Sequence, residues 1–397
     1  MKKVGTISRG ICTPIIRQGM DLVAVVAESV ISAAEHEKFE LRDRDVVGIT
    51  ESILARSQGN YATISQIADD VKAKMSGDSL GITLPIFSRN RFSQILRGIA
   101  RAAKGKKLFI LLGYPSDEVG NPLIDINLLD EKGINPYTDT MTAEKFAELF
   151  GETVHPFTGI DYIKYYKQIA DEEGADTAII LGNDPRAILE YTSNVIVAEI
   201  HSRHRSKRLL KAAGAANILG LDEILNTPDS GDPADSSRGW HGEFGLLGSN
   251  MATDNSIKLF PRDAQAFADA LSGRLRELTG KKIEVLVYGD GAFKDPVGGI
   301  WELADPVVSP GFTAGLSGTP NEVKLKYLAD NVSGEEEAIK EAIRNKKANL
   351  VGDIAAQGTT PRRITDLLGS LCDLTSGSGD KGTPVVLVQG YFDSYAD

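Results

Sequence analysis

The sequence predicts an α/β or α+β fold: a core of mixed sheets and helices into which a further α/β lobe is inserted. Short apolar runs rich in Val and Ile alternate with longer amphipathic segments, and this order is typical of α/β and α+β proteins. The alternation starts again at Lys106 after a first set of elements. A second group of strands and helices is therefore expected within the same chain.

The N-terminal part is predicted to contain two strands and three helices. The runs at 4–10 and 45–50 are short and apolar, as buried strands are. The helices repeat apolar residues at a spacing of three and four, so that each has one apolar side. They are expected at 20–37, 63–75 and 90–103.

The middle of the chain is predicted to form the inserted lobe. It has candidate strands at 106–113, 176–184 and 194–200 and candidate helices at 142–150 and 161–174. The segment 227–239 is rich in Pro, Gly, Ser and Asp, which predicts a linker or an active-site loop. We therefore expect a core formed by 1–105 and 238–397, and a separable lobe formed by 106–237.

Composition is typical of a large cytoplasmic enzyme. The chain has 397 residues, of which 42% are hydrophobic, and this length favours two or three lobes. A net charge of −11 disfavours nonspecific binding to nucleic acid or to a membrane surface. Cys12 and Cys372 are too few for a disulfide framework and fit a reducing compartment. The first residues lack the apolar stretch of a signal peptide, and no run reaches membrane-spanning length.

Two aspartates in turns are the first candidates for chemistry. Asp290 follows the apolar run 283–288, a predicted buried strand, and Asp254 lies in a segment rich in Gly and Ser. Ligands of α/β proteins bind at the carboxyl ends of strands, and neighbouring glycines allow a close approach. Carboxylate oxygens suit Mg²⁺ or Mn²⁺. The alternative is that Asp290 is only a turn residue, as aspartates between glycines often are.

A basic segment and several glycines have simpler explanations. His201 and His204 have the spacing of zinc ligands, but no acidic or Cys ligand completes the pattern. Such a basic run most often forms a solvated helix face, and the alternative is that it holds a phosphate or the acidic tail of a substrate. The glycines near Asn250 and Asp290 match neither the dinucleotide-binding nor the P-loop pattern.

The segment from His241 to Gly280, with the strand after it, resembles the core of the coenzyme F-420:L-glutamate (γ-glutamyl) ligase family. Members have a His-Gly segment leading to an Asn and an Asp-x-Ser turn, a helix ending in RELTG-like residues, and a strand closing on Ser-Asp-Thr. The positions that match are His241, Gly242, Asn250, Asp254, Ser256 and Asp290. His241 either contacts substrate or phosphate or fixes the turn that follows it.

Other segments extend this resemblance over most of the chain outside the predicted lobe. The segments 12–22, 45–60, 89–103 and 381–391 are similar to family segments. The resemblance covers 4–105, 238–310 and 350–391, whereas 106–237 has no counterpart that the motifs identify.

The chain also departs from the family pattern at basic positions. Ser52 and Arg56 stand where the family has Lys, Gly291 replaces a Thr, and 292–296 replaces a Gly-Arg-Pro-Trp-Arg stretch. Basic residues of this kind usually carry contacts to phosphate and carboxylate groups. The resemblance therefore predicts the fold more firmly than the substrate.

The resemblance implies a GTP-dependent ligase that uses Mg²⁺ or Mn²⁺. In this family GTP phosphorylates a carboxylate and the amine of L-glutamate attacks the acyl phosphate, which gives a γ-glutamyl amide. The implied acceptor is the F-420 precursor, and the implied assembly is a homodimer. The implied metal ligands are Asp254, Asp290 and Asp353, and the implied nucleotide-binding residues are Thr13, Pro14, Ile15, Ile16, Glu51, Ser52 and Arg56. No catalytic nucleophile or base is identified, which suits a reaction that depends on positioning and charge.

A non-catalytic relative that binds a nucleotide or an acidic metabolite is the alternative. The changed Lys and Thr positions favour this alternative. The presence of both Asp254 and Asp290 favours the enzyme, because a site without metal has no use for two facing carboxylates.

Overall fold

A computed structural model describes residues 3–155, 158–232, 237–289, 309–334, 336–356, 363–376 and 379–396. The chain divides into two compact units. Unit 1 comprises Met1–Ser57, Asp263–Gly291 and Val307–Asp397, and unit 2 comprises Gln58–Arg262 and Ala292–Pro306.

Helices and strands alternate along the described residues. The first hundred residues contain β1 (Ile7–Ile11), α1 (Leu22–Glu37), β2 (Val46–Thr50), α2 (Glu51–Gln58), β3 (Tyr61–Thr63), α3 (Ile64–Lys74), β4 (Ser79–Thr83) and α4 (Phe92–Ala102). The middle contains β5 (Lys107–Leu112), α5 (Ile126–Lys132), β6 (Met141–Thr142), α6 (Ala143–Phe150), α7 (Tyr162–Glu172), β7 (Asp176–Leu181), β8 (Asn194–Val197), α8 (Arg203–Ala212) and β9 (Asn217–Gly220). The remainder contains β10 (Asn250–Thr253), β11 (Ser256–Lys258), α9 (Ala264–Thr279), β12 (Glu284–Tyr288), β13 (Gly311–Phe312), α10 (Leu325–Asn331), α11 (Glu336–Arg344), α12 (Ile364–Ser376) and β14 (Val385–Gln389).

Unit 1 is built on a five-stranded mixed sheet with the order β1-β14-β2-β12-β13. β2 and β12 are parallel, and β14 runs antiparallel to both of its neighbours. Val47 and Ile49 of β2 pack on the side of α1 and α9, whereas Val46 packs on the side of α12. Because helices cover both faces of the sheet, residues 46–49 of β2 are all buried and do not alternate with polar residues.

Unit 2 contains a six-stranded sheet with the order β6-β7-β5-β4-β8-β9, in which only the edge strand β6 is antiparallel. Its two faces have separate cores. Leu108 and Ile110 of β5 pack with α3, α4 and α7, while Leu111 packs with Leu210 of α8 on the opposite face. A second, three-stranded antiparallel sheet has the order β10-β11-β3.

The strand order of the larger sheet in unit 2 reverses between β4 and β8. From β4 the chain adds β5 and β7 on one side and then β8 and β9 on the other. Such a reversal leaves a crevice at the carboxyl ends of the two central strands, where α/β proteins bind ligands. This doubly wound order was not predicted, because the glycine pattern that usually marks it is absent from the sequence.

The boundaries of the two units differ from those of the predicted parts. β4 precedes the predicted lobe 106–237, yet it pairs with β5 on one side and β8 on the other. α3 and α4 share a core with the same strands. Local periodicity shows where a strand lies but not which strands it pairs with, so it could not assign 58–105 to unit 2.

The mixed α/β class and the N-terminal helices predicted from the sequence are confirmed. Asp21 begins α1 by accepting a hydrogen bond from the Ala24 N–H, and Thr63 and Gln66 form a reciprocal cap at the start of α3. α2 was not predicted, because its eight residues follow β2 without a connecting turn. Across the described ranges, no helix is long and apolar enough to cross a membrane.

Candidate functional site

The carboxyl end of β2 is the first part of the candidate site in unit 1. β2 ends at Thr50, beside Tyr288 at the end of the parallel strand β12, and α2 begins directly at Glu51. The Ser52 N–H lies 3.4 Å from the Thr50 Oγ1. Glu51 is buried in the first turn of α2, where the helix dipole favours a carboxylate.

The loop after β1 lies against α2, so the two predicted nucleotide-binding segments are neighbours. The Nε of Arg56 donates a 2.7 Å hydrogen bond to the carbonyl oxygen of Ile16, forty residues earlier. The Gly19 N–H donates to the Ser57 carbonyl at 2.8 Å. Ile16 is buried, and this anchor presents Pro14 and Ile15 to solvent. Thr13 is held from the other side, where its N–H donates to the Gly382 carbonyl at 3.2 Å.

Asp254 lies in unit 2, at the tip of the hairpin formed by β10 and β11. The hydroxyls of Thr253 and Ser256 are 2.7 Å apart across this turn, and the Asn255 N–H donates to the Thr253 Oγ1 at 3.2 Å. The Asn255 carbonyl in turn accepts from the Ile64 N–H at the start of α3. The turn is thus fixed by its neighbours, while the Asp254 side chain is exposed.

The His-Gly segment that resembles the family motif has a defined structural role. The Nδ1 of His241 accepts hydrogen bonds from the N–H groups of Glu243 and Phe244, at 3.2 and 3.1 Å. This ring nitrogen therefore fixes the following turn, which is one of the two roles predicted for His241. A contact between His241 and a substrate stays a prediction.

Asn60 is a residue of this region that the sequence did not single out as functional. Its side chain is fully buried. Its amide nitrogen donates to the Phe260 carbonyl at 2.6 Å, and its Oδ1 accepts from the Trp240 N–H at 3.0 Å. Arg262, which lies over the Trp240 ring, donates to the same oxygen. One buried amide thereby joins β3 to the motif segments on either side of the hairpin, and no local pattern predicts such a contact.

Asp353 does not have the surroundings of a metal ligand. Its Oδ2 lies 2.7 Å from the Lys347 ammonium, and its Oδ1 accepts from the Ala355 N–H at 2.9 Å. The hydrogen bond from Lys347 and that from the backbone lower the pKa of this carboxyl. A cation would have to displace Lys347, so the residues around Asp353 do not fit a metal ion.

The remaining metal prediction rests on Asp254 and Asp290. Asp290 lies outside the described residues, as do Gly291 and 292–296. The strand before Asp290 is confirmed as β12, and every residue of it is buried. Among the residues that the structure describes, no group of three His, Cys, Asp or Glu side chains is arranged to hold a metal ion.

A buried acid in unit 2 was also missed from the sequence. Glu199 follows β8 at the reversal of strand order and is fully buried. The Thr83 hydroxyl at the end of β4 donates to its Oε2 at 2.8 Å. Burial raises the pKa of Glu199 from the ordinary 4.5 to about 7, and the nearby Glu118 adds a smaller repulsion.

At high pH, the Glu199→Gln variant is expected to gain stability relative to the original protein. Because the pKa of Glu199 is raised on folding, the contribution of this group to the free energy of unfolding is fully present below pH 4.5. That contribution is lost as the pH rises through about 7. A shift of this size corresponds to a loss on the order of 3 kcal/mol. Gln keeps the oxygen that accepts from Thr83 but cannot ionise. Urea unfolding of both proteins at pH 5 and pH 8 measures this effect, and parallel pH profiles would contradict it.

Comparison with known protein families gives a match over nearly the whole chain. The family described as F420-0:Gamma-glutamyl ligase matches residues 10–390, a range that includes 106–237. No curated protein matches the sequence. The family match covers nearly the whole chain, including both units, the motif segment from His241 to Ser256 and the strand that precedes Asp290. The chain therefore belongs to the F420-0:gamma-glutamyl ligase family.

Proposed function

We propose that this protein is a metal- and GTP-dependent ligase that forms a γ-glutamyl amide bond between L-glutamate and a carboxylate acceptor. The observation that carries the proposal is the family match over residues 10–390. The acceptor we propose first is the precursor of the deazaflavin coenzyme F-420. A cytoplasmic homodimer is part of the same proposal, by resemblance and from the cysteine content.

The edge of unit 1 at the end of β2 supports a nucleotide-binding role. Thr13–Ile16 lie against α2, which carries Glu51, Ser52 and Arg56, so the two proposed nucleotide-binding segments are neighbours. Backbone N–H groups at the start of a helix suit phosphate oxygens. A phosphate beside the Glu51 carboxylate would be repelled, and a divalent cation between them would remove that repulsion.

The proposed reaction requires few chemical groups from the protein. GTP transfers its terminal phosphate to the acceptor carboxylate, and the glutamate amine then displaces phosphate from the acyl phosphate. The protein has to hold the three reactants together and exclude water. Asp254 and Asp290 would hold the Mg²⁺ or Mn²⁺ ion, which supplies charge neutralisation to the phosphates when bound.

The non-catalytic alternative is supported by one specific contact. Arg56, which replaces a family Lys, uses its Nε to hold the Ile16 carbonyl, and Ser52 supplies no charge at the other changed position. The Ser52 change removes one positive charge, whereas Arg56 keeps its charge but has its Nε engaged by the backbone. A relative with this site could bind a nucleotide without turnover.

A product assay separates the two functions. The protein is incubated with GTP, Mn²⁺, L-glutamate and a panel of acceptors that includes the deazaflavin coenzyme, and products are identified by mass spectrometry. We expect GDP, phosphate and a glutamylated acceptor to form together, and no GTP consumption when glutamate or acceptor is omitted. Binding of GTP without a glutamylated product from any acceptor would favour the non-catalytic relative.

A further inference from the structure

α8 in unit 2 presents a row of positive charges to solvent. Arg205, Arg208 and Lys211 are spaced three residues apart and are all exposed, so they lie on one side of the helix. We call this set the cationic face. In the described part of the chain, none of these three side chains makes a hydrogen bond or an ion pair.

The other cations of α8 have protein partners, which distinguishes them from the cationic face. Arg203 lies 3.2 Å from Asp222, and Lys207 lies 3.1 Å from the same carboxylate and 2.9 Å from Glu223. These two pairs attach α8 to the segment after β9. They involve none of the residues of the cationic face.

One acid that interacts with the cationic face, Asp184, is already paired with another arginine. Arg186 binds Asp184 through several hydrogen bonds and lowers the pKa of that carboxyl, and Arg205 adds a smaller effect. α8 contains no Asp or Glu. The face therefore keeps a net positive charge on a chain whose overall charge is −11.

We propose that the cationic face binds the oligo-γ-glutamyl chain of a glutamylated acceptor or product, an inference that rests on the proposed function. Such a chain carries one carboxylate per residue, and Arg holds carboxylates through paired N–H donors. Arg205 to Lys211 spans about 9 Å along the helix at 1.5 Å per residue, enough for more than one carboxylate. On a chain with a net negative charge, a local cluster of unpaired cations attracts a polycarboxylate.

The residues of α8 favour a polycarboxylate over a nucleic acid. The helix has no Phe, Tyr or Trp, and binding of single-stranded nucleic acid depends on stacking of bases on aromatic rings as well as on charge. A row of Arg and Lys without aromatic side chains fits a ligand that offers charge alone.

Binding of a fluorescent γ-linked oligoglutamate to the full chain tests this proposal by anisotropy. We expect the triple variant Arg205→Glu, Arg208→Glu and Lys211→Glu to weaken binding at least tenfold. The matched control reverses three exposed cations of unit 1, Arg276→Glu, Lys281→Glu and Lys326→Glu, and changes the net charge equally. This control should bind the oligoglutamate with the original affinity, within about twofold. Raising the salt concentration to about 0.15 M should weaken oligoglutamate binding by the original protein more than binding by the triple variant.

Several outcomes would overturn the proposal. They are absence of oligoglutamate binding to the original protein, equal losses in the triple variant and its control, and tighter binding of a single-stranded oligonucleotide than of oligoglutamate. If the triple variant fails to fold by circular dichroism, the same positions changed to Gln should still weaken binding, by about threefold or more. The assay needs no GTP, so a ligase without oligoglutamate binding and an oligoglutamate-binding protein without ligase activity give different results.

Discussion

Asp254→Asn is expected to weaken Mn²⁺ binding at least tenfold and to abolish formation of the glutamylated product. Asp254 is exposed at the tip of the β10–β11 hairpin, and its turn is fixed by Thr253, Asn255 and Ser256. Divalent cations prefer charged oxygen ligands, and Asn keeps the shape but removes the charge. Because the turn does not use the Asp254 carboxylate, the substitution should leave stability unchanged.

Two further variants make this experiment specific. Asp290→Asn should have the same effect as Asp254→Asn if both carboxylates hold one ion. Asp353→Asn should leave the Mn²⁺ affinity within about twofold, because Lys347 and the Ala355 N–H already occupy its oxygens. Isothermal titration calorimetry measures all three, and unchanged affinity in Asp254→Asn and Asp290→Asn would remove the proposed site.

Deleting residues 104–237 and joining Ala103 to Arg238 by a short linker is expected to prevent folding. The deletion removes β5 and β8, the two partners of β4, and exposes both of its edges. It also removes most of the core on which α3 and α4 pack. We expect an insoluble product, or a soluble one without a cooperative unfolding transition.

A deletion at the unit boundary is the matched comparison. Removing 58–262 and joining Ser57 to Asp263 should leave a soluble protein, because the five-stranded sheet and its helices all belong to unit 1. The ends of the removed segment are close, since the Gln58 side chain bonds the backbone of Arg262 at 2.6 and 2.8 Å. Cooperative unfolding after the 104–237 deletion, with none after the 58–262 deletion, would show that the unit boundary is misplaced.

The elements that are local in origin could be predicted from the sequence. α1, α3 and α4 repeat apolar residues at helical spacing, and Asp21 and Thr63 mark two of their starts. β12 was predicted because the run 283–288 is short, mostly apolar and rich in β-branched residues. In these segments the spacing of apolar residues, with a capping residue where one is present, is sufficient to predict the element. The positions of these helices and strands therefore depend on residues that are close in sequence.

The candidate site was only partly predictable, because its contacts join residues that are far apart in the sequence. The sequence identified the segments around Thr13, Ser52 and Asp254, but not the bond from Arg56 to Ile16 that brings two of them together. It proposed Asp353 as a metal ligand, whereas the structure shows Lys347 in contact with that carboxylate.

The sequence by itself determined the mixed α/β class, the positions of the main helices and strands, and the resemblance to a ligase family. Only the tertiary structure decided that β4 belongs with β5 and β8, and that Glu199 is a buried acid. It also showed which cations of α8 are neutralised: Arg203 and Lys207 pair with acids after β9, while Arg208 does not. Strand partners, burial and ion pairs depend on residues far apart in the chain, whose approach is set by the packing of whole elements and leaves no trace in local periodicity.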